Sequence, residues 1–148
     1  KKQNTMEIAI GADHAGYELK ELLIPIIQEL GHEVGNFGTN SPESTDYPDF
    51  AHPVASAVEA GKYALGVLVC GTGNGVAITA NKHQGIRAGL CWNREIAALV
   101  RQHNNANILC LPARFIEVEE AKAALRTFLT TDFEAGRHER RIGKIPCN

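Results

Sequence analysis

The sequence has no strong excess of charge of either sign and no long apolar run. Its 148 residues carry 15 Lys and Arg against 17 Asp and Glu, a formal net charge of -2. This balance argues against a surface dedicated to nucleic acid or to an anionic membrane, because both need a positive field. No apolar run approaches the roughly 20 residues that span a bilayer, and no signal-peptide core follows the polar N-terminus. We therefore expect a cytoplasmic protein with no nucleic-acid or membrane partner.

Paired cysteines and dense metal-ligand motifs are also missing. Cys70, Cys91, Cys110 and Cys147 lie about 20 or more residues apart. This spacing predicts neither the disulfide framework of a small secreted protein nor a structural zinc site. The six histidines form no HExxH motif, so no metal site is predicted. We expect Cys91, Cys110 and Cys147 to be packing or incidental residues.

The apolar content is sufficient for one folded domain. Hydrophobic residues make up 44% of the sequence, and a chain of this length buries roughly 68–70% of the surface that its unfolded form exposes. We predict a single domain over residues 1–148. Met6 is followed at once by an apolar strand pattern, which favours Met6 as the natural start and residues 1–6 as an N-terminal extension.

Strand-like apolar runs alternate with helical spacing along the chain. Strands are predicted at 7–12, 32–37, 64–70, 86–91 and 106–111, and helices at 19–30, 50–60, 75–81, 94–100 and 118–129. The predicted fold is α/β, a Rossmann-like doubly wound five-stranded parallel sheet with helices on both faces and a C-terminal helical tail. Pro25 predicts a kink in the first helix, or two helical pieces. Residues 38–48 are predicted to form a polar loop.

Several polar residues come directly after predicted strands, where an open parallel sheet binds its ligands. Asp13 and His14 follow the first strand, residues 70–75 follow the third, and residues 111–114 follow the fifth. We expect these segments to share one edge of the sheet. His103 is expected on the same side, so that two imidazoles, a carboxylate and a thiol come together as groups that move protons near neutral pH.

The loop from Cys70 to Gly75 (CGTGNG) leaves a predicted strand and enters a helix, so its backbone N–H groups can converge on an anion. It is not a dinucleotide fingerprint, because Val76 replaces the third glycine, and it lacks the Lys of an ATPase phosphate loop. Glycines that serve only a tight turn are the alternative. A helix N-terminus stabilises the Cys70 thiolate as a base or nucleophile. A thiol hydrolase that pairs Cys70 with His103 therefore stays open.

The tail carries a local excess of positive charge. Arg137 and Arg141 are four residues apart, hence on one face of a helix, and together can grip a phosphate. A solvated basic face is the alternative. Because the tail follows the last core helix, we expect it to reach a neighbouring subunit rather than its own crevice.

Six segments together resemble the type B ribose-5-phosphate isomerases. They are GADHAGYELK at 11–20, TDYPDFA at 45–51, CGTGNGVAITANK at 70–82, GIRA at 85–88, RQHNNANIL at 101–109 and GRHERR at 136–141. The family includes galactose-6-phosphate isomerase subunits and allose-6-phosphate isomerases. The resemblance implies an aldose–ketose isomerase that interconverts ribose 5-phosphate and ribulose 5-phosphate through a cis-enediolate, in the pentose phosphate pathway. It also implies a homodimer or a dimer of dimers, with shared active sites and no cofactor.

The resemblance assigns roles to individual residues. Cys70 matches the proton-abstracting base and His103 the group that opens the sugar ring, helped by Asp13. The implied substrate contacts are Asp13, His14, Gly71, Thr72, Gly73, Asn74, Gly75, Asn104, Arg114, Arg137 and Arg141, with the last two from the partner subunit and the Thr72 hydroxyl assisting catalysis. Some members use a Glu as base where Val76 stands here, which leaves Cys70 as the base. A six-carbon sugar 6-phosphate isomerase and a non-catalytic sugar-phosphate binding module are the alternatives.

Overall fold

A computed structural model describes residues 4–147. Residues 1–3 of the predicted N-terminal extension, which spans residues 1–6, therefore lie outside the described residues. Strands and helices alternate as the sequence predicts. They are β1 (Glu7–Ala12), α1 (Tyr17–Glu29), β2 (Glu33–Asn36), α2 (Pro48–Glu59), β3 (Leu65–Cys70), α3 (Asn74–Ala80), β4 (Ala88–Leu90), α4 (Arg94–Gln102), β5 (Ile108–Pro112), α5 (Val118–Thr130) and α6 (Arg137–Ile142). The predicted bounds differ from these by one or two residues at most.

The strands form one sheet in the order β2-β1-β3-β5-β4, and every pairing is parallel. The predicted doubly wound parallel sheet is therefore confirmed. β3 and β5 are buried along their whole length, as expected where helices cover both faces of a parallel sheet. The winding direction changes between β1 and β3. Ligands of such sheets bind beyond the carboxyl ends of the strands at this point.

The two faces of the sheet bury separate apolar layers. One layer packs against α1, α4 and α5, and the other against α2 and α3. Successive side chains of β3 enter opposite layers, so Val67 lies in the first while Leu68 and Cys70 lie in the second. The thiol of Cys70 therefore sits on the α2 and α3 side, at the very end of its strand.

Proline accounts for the main differences from the predicted helices. α1 runs unbroken through Pro25, so the prediction of two helical pieces is wrong. Pro25 lies on the exposed face of the helix, where water can bond to the carbonyl group that its missing N–H leaves unpaired. α2 begins at Pro48, inside the predicted loop, because proline is favoured at the first helical position.

The predicted helical tail is confirmed as α6, a short helix that follows a turn at residues 131–136. The Glu134 N–H donates a hydrogen bond of 3.1 Å to the Gln102 carbonyl oxygen, so the turn is fastened to the end of α4. Within residues 4–147, none of the helices has the length and apolar character to cross a membrane.

Candidate active site

A concavity of about 320 Å³ opens at the carboxyl edge of the sheet. Asp13, Cys70 and Arg114 reach it from β1, β3 and β5, which are neighbours in the sheet. We call it the thiol pocket; its lining consists of Asp13, His14, Ala15, Tyr47, Cys70, Gly71, Thr72, Gly75 and Arg114. The prediction that the strand-end segments share one edge is confirmed for these residues.

Cys70 and Arg114 are held together by the backbone. The Ala113 N–H donates to the Cys70 carbonyl oxygen at 2.9 Å, and the Arg114 N–H donates to the Gly71 carbonyl oxygen at 3.0 Å. A Cβ atom at Gly71 would lie 3.1 Å from Arg114 Nη1, so the guanidinium rests directly on the loop. A permanent cation with several donors thus faces the thiol pocket, as an anionic ligand requires.

The loop after Cys70 supplies further donors. Thr72 is exposed, and its Oγ1 accepts a 3.3 Å hydrogen bond from the Asn74 N–H, so its own O–H proton can donate into the pocket. The first N–H groups of α3 have no partner within the helix. Gly73 and Asn74 lie outside the lining of the pocket, although both are predicted contacts.

Gly73 caps α3 in the left-handed region, with φ of 74°. We expect Gly73→Ala to be strongly destabilising, because this backbone conformation costs about 1–2 kcal/mol for a residue with Cβ and the new Cβ would lie 2.4 Å from Leu90 Cδ1. Gly61→Ala is the matched control, since Gly61 has φ of +80° and nothing within 4 Å of a new Cβ. Chemical denaturation should show the larger loss of unfolding free energy for Gly73→Ala. Equal losses would contradict the close approach.

Asp13 is 6% exposed and fixed in the wall of the thiol pocket. Its Oδ1 accepts hydrogen bonds from the N–H groups of Ala15 at 3.0 Å and Gly16 at 3.1 Å. This side-chain turn leads the chain from β1 into α1. These two hydrogen bonds therefore hold the Asp13 carboxylate in a fixed orientation beside the space for a ligand.

His14 forms two reciprocal hydrogen bonds with Thr45. The His14 N–H donates to Thr45 Oγ1 at 3.1 Å, and the Thr45 N–H donates to His14 Nδ1 at 3.1 Å. Because Nδ1 accepts a hydrogen bond, the neutral ring carries its proton on Nε2. The hydrogen-bond network thus assigns Nε2–H as the group with which His14 can donate to a ligand.

Sequence reasoning missed Tyr47 as a pocket residue. Tyr47 lines the thiol pocket, and a Cβ at Gly75 would lie 2.7 Å from its Cε1 atom, so the ring packs on the glycine loop. Thr45 was missed as well, although it holds His14. The available signal was the segment TDYPDFA, which contains both residues and leads into α2.

The other thiols differ from Cys70 in their surroundings. Burial raises the pKa of Cys91 to about 12 and raises the pKa of Cys110 well above its usual range. Both thiols stay protonated near neutral pH and pack in the core. Cys147 is exposed near the end of the described chain. Among the four, Cys70 alone lines the pocket at the carboxyl edge.

His103 lies at the opposite edge of the sheet, so the prediction that it shares an edge with Cys70 is wrong within one chain. His103 caps the C-terminus of α4, and a crossover helix runs antiparallel to the strands, back to their amino ends. The Gly66 N–H donates to the Asn107 carbonyl oxygen at 2.8 Å, which places this turn beside the beginning of β3. Cys70 lies roughly 13 Å further along that strand, at about 3.3 Å per residue.

A second concavity, of about 400 Å³, lies at this other edge. We call it the imidazole pocket; its lining consists of His103, Asn104, His138, Arg141, Ile142 and Ile145. Within residues 4–147, it has no lining residue in common with the thiol pocket. The structure therefore divides the predicted site residues into two groups on different edges.

His138 is a pocket residue that sequence reasoning did not select. Its ring stacks on that of His103, with centroids 4.5 Å apart and 17° between the planes. Burial lowers the pKa of His138, and the charge of Arg137 lowers it further, so the ring is neutral near neutral pH. Arg137 and Arg141 lie on the same helix, α6, as the sequence predicts. The available signal was GRHERR, which brackets His138 with arginines.

These features define a Rossmann-like α/β protein whose thiol, carboxylate and guanidinium groups face the space for a small anionic ligand. The chain matches the model of the Ribose/Galactose Isomerase family over residues 8–145. It is 44% identical over 139 residues to ribose-5-phosphate isomerase B of Escherichia coli strain K12, with 94% of this chain and 93% of the relative covered. The chain belongs to the Ribose/Galactose Isomerase family, and the resemblance seen in the sequence is confirmed.

Solved structures agree with this assignment. A ribose 5-phosphate isomerase from Thermotoga maritima matches with a TM-score of 0.93 and 50% identity, over 95% of this chain and 97% of that one. Ribose-5-phosphate isomerase B from Mycoplasma genitalium, solved with bound ribulose-5-phosphate, matches with a TM-score of 0.91 and 43% identity. That match covers 94% of this chain and 93% of the other.

Proposed function

We propose that this protein is an aldose–ketose isomerase that interconverts ribose 5-phosphate and ribulose 5-phosphate. The observation that carries the proposal is the thiol pocket, where Cys70, Asp13, His14 and Arg114 surround a space for a small anion. Membership of the Ribose/Galactose Isomerase family supports the reaction class. The related Mycoplasma genitalium enzyme was solved with ribulose-5-phosphate, which supports the five-carbon substrate. The cytoplasmic location and the pathway remain predictions from the sequence.

Cys70 is the base in this proposal. Its thiolate takes the proton from C2 of the open-chain aldose, and the electrons of that C–H bond form the C1–C2 double bond of a cis-enediolate. The thiol then returns the proton to C1, while a proton moves from O2 to O1, so that the ketose forms. The reaction is redox-neutral within the substrate and calls for no cofactor.

The loop after Cys70 stabilises the charge that develops on the enediolate oxygens. Thr72 and the backbone of Gly71 and Gly75 lie in the lining of the pocket, and hydrogen-bond donors of this kind contribute about 10²–10³ in rate each. The Asp13 carboxylate accepts hydrogen bonds from hydroxyl groups of the sugar, and the Nε2–H of His14 donates to a sugar oxygen. Arg114 adds a positive charge at the same edge.

The remaining groups come from a second subunit in this proposal. His103, Asn104 and Arg141 line the imidazole pocket, at the edge away from Cys70, so one chain cannot bring them to the thiol. In a homodimer with twofold symmetry, the imidazole pocket of each subunit faces the thiol pocket of the other, and both sites are completed at once. The partner's His103 then opens the sugar ring, and the partner's Arg137 and the partner's Arg141 hold the phosphate.

Steady-state kinetics with ribose, allose and galactose phosphates test the substrate. We expect kcat/KM to be at least about tenfold higher for ribose 5-phosphate, because an additional carbon unit in a fitted pocket changes discrimination by roughly 10–200-fold. A preference for either six-carbon 6-phosphate would replace the five-carbon assignment but keep the reaction. Tight binding of all three without turnover would instead indicate a binding module.

A further inference from the structure

His103, Glu134 and His138 form a compact cluster at the imidazole pocket. His103 caps α4, Glu134 lies in the turn after α5, and His138 belongs to α6. The bond from the Glu134 N–H to Gln102 places the carboxylate next to His103. The left-handed turn at Ala135 and Gly136 then brings the chain back, so that His138 stacks on His103. We call these three residues the His–Glu–His cluster.

The cluster has the dimensions of a chelating site. One ligand atom from each of its three side chains lies within 4.8 Å of the others, and His138 Nε2 is 3.8 Å from Glu134 Oε1. Two ligands of a tetrahedral zinc ion, at bond lengths near 2.0–2.1 Å, lie about 3.3 Å apart. The present arrangement becomes a coordination sphere when these distances shorten and the stacked rings of His103 and His138 rotate, because the lone pair of each ligating nitrogen lies in the plane of its ring.

A second observation points to a ligand at the same place. His138 Nε2 is buried and has no hydrogen-bond partner within residues 4–147, and its side chain is 8% exposed. Buried polar atoms of native proteins almost always have a partner, so this nitrogen calls for an explanation. The adjoining imidazole pocket, of about 400 Å³, has room for an ion and the water that completes its coordination.

We propose that the His–Glu–His cluster binds a divalent transition-metal ion of the zinc type, and that the bound ion inhibits the enzyme. Two imidazoles and a carboxylate suit zinc, whereas magnesium prefers oxygen ligands. The inhibitory part rests on the proposed function, because an imidazole that ligates a metal cannot also move the proton that opens the sugar ring. The nearby Arg137 and Arg141 repel a cation, so the ion is exchangeable rather than a permanent part of the fold.

Direct binding is tested by calorimetric titration of zinc chloride into the EDTA-treated full-length protein. We expect Glu134→Gln to weaken zinc binding at least about tenfold, since loss of even an outer-shell partner costs about 10–100-fold. Glu139→Gln is the matched control, because it makes the same change in net charge. Glu139 is exposed on α6 and lies outside the cluster. Its zinc affinity should equal that of the wild type.

The second arm is zinc inhibition of isomerase activity, scaled to the zinc-free rate of each variant. Glu134→Gln should raise the half-inhibitory zinc concentration at least about tenfold, Glu139→Gln should leave it unchanged, and magnesium should not inhibit at the same concentrations. Equal zinc affinity for Glu134→Gln and Glu139→Gln would overturn the proposed site. The thiols would then be the candidate zinc ligands. If the protein has no isomerase activity, the calorimetric arm still decides whether the metal site exists.

Discussion

Replacement of Cys70 by alanine is expected to lower kcat for sugar-phosphate isomerisation by about 10²–10⁴, the usual contribution of a positioned acid–base group. The reason is geometric. Cys70 is the thiol that lines the pocket between Asp13 and Arg114, while Cys91 and Cys110 are buried with raised pKa values. Exchange of the C2 proton with solvent, followed by nuclear magnetic resonance in deuterated water, should be lost to the same extent.

Binding should survive this substitution, because the charged contacts come from other residues. The dissociation constant for ribose 5-phosphate, measured by calorimetry, should change by only a few-fold. Cys147→Ala is the control, since it removes an exposed thiol away from the pocket and should leave kcat unchanged. Proton exchange at the wild-type rate in Cys70→Ala would remove Cys70 from the role of base.

Mixed dimers are expected to regain activity when one chain carries Cys70→Ala and the other carries His103→Ala. In a twofold dimer with shared sites, one of the two sites then combines both substitutions, and the other combines the intact thiol with the intact imidazole. Half of a randomly mixed population is heterodimeric, so about a quarter of wild-type activity should return. Each variant alone should be nearly inactive. The measurement is the rate after joint unfolding and refolding of the two chains.

Cys70→Ala mixed with Arg114→Ala is the matched control. Both residues belong to the thiol pocket, so every site in such a heterodimer carries one defect and no activity should return. Rescue by Arg114→Ala, or failure of rescue by His103→Ala in verified heterodimers, would contradict the arrangement of one thiol pocket against one imidazole pocket.

Most of the fold could be predicted from the sequence because strands and helices have different apolar periods. The apolar run 64–70 predicted a strand covered on both faces, and β3 is such a strand. The helix through Pro25 was harder to predict, since its continuity depends on which face of α1 the proline occupies. That face is set by packing against the sheet, which a local pattern describes only in part.

The site was predictable where the chain leaves a strand. Asp13, Cys70 and Arg114 lie at or just after the carboxyl ends of neighbouring parallel strands, and the rule that such strands end at one edge brought them together correctly. The same rule does not apply to His103, because it follows a helix. Tyr47 reaches the pocket from a loop, where no periodic pattern reports which way a side chain points.

The sequence by itself therefore determined the parallel α/β architecture, the glycine loop after Cys70 and the family, since these depend on local periodicity and contiguous motifs. Only the tertiary structure decided that Cys70 and His103 lie on opposite edges of the sheet, that Thr45 assigns the proton of His14 to Nε2, and that His138 stacks on His103. Each of these depends on contacts between distant segments. Such contacts depend on the antiparallel direction of the crossover helices and on packing. Neither produces a recognisable pattern of residue spacing in the sequence.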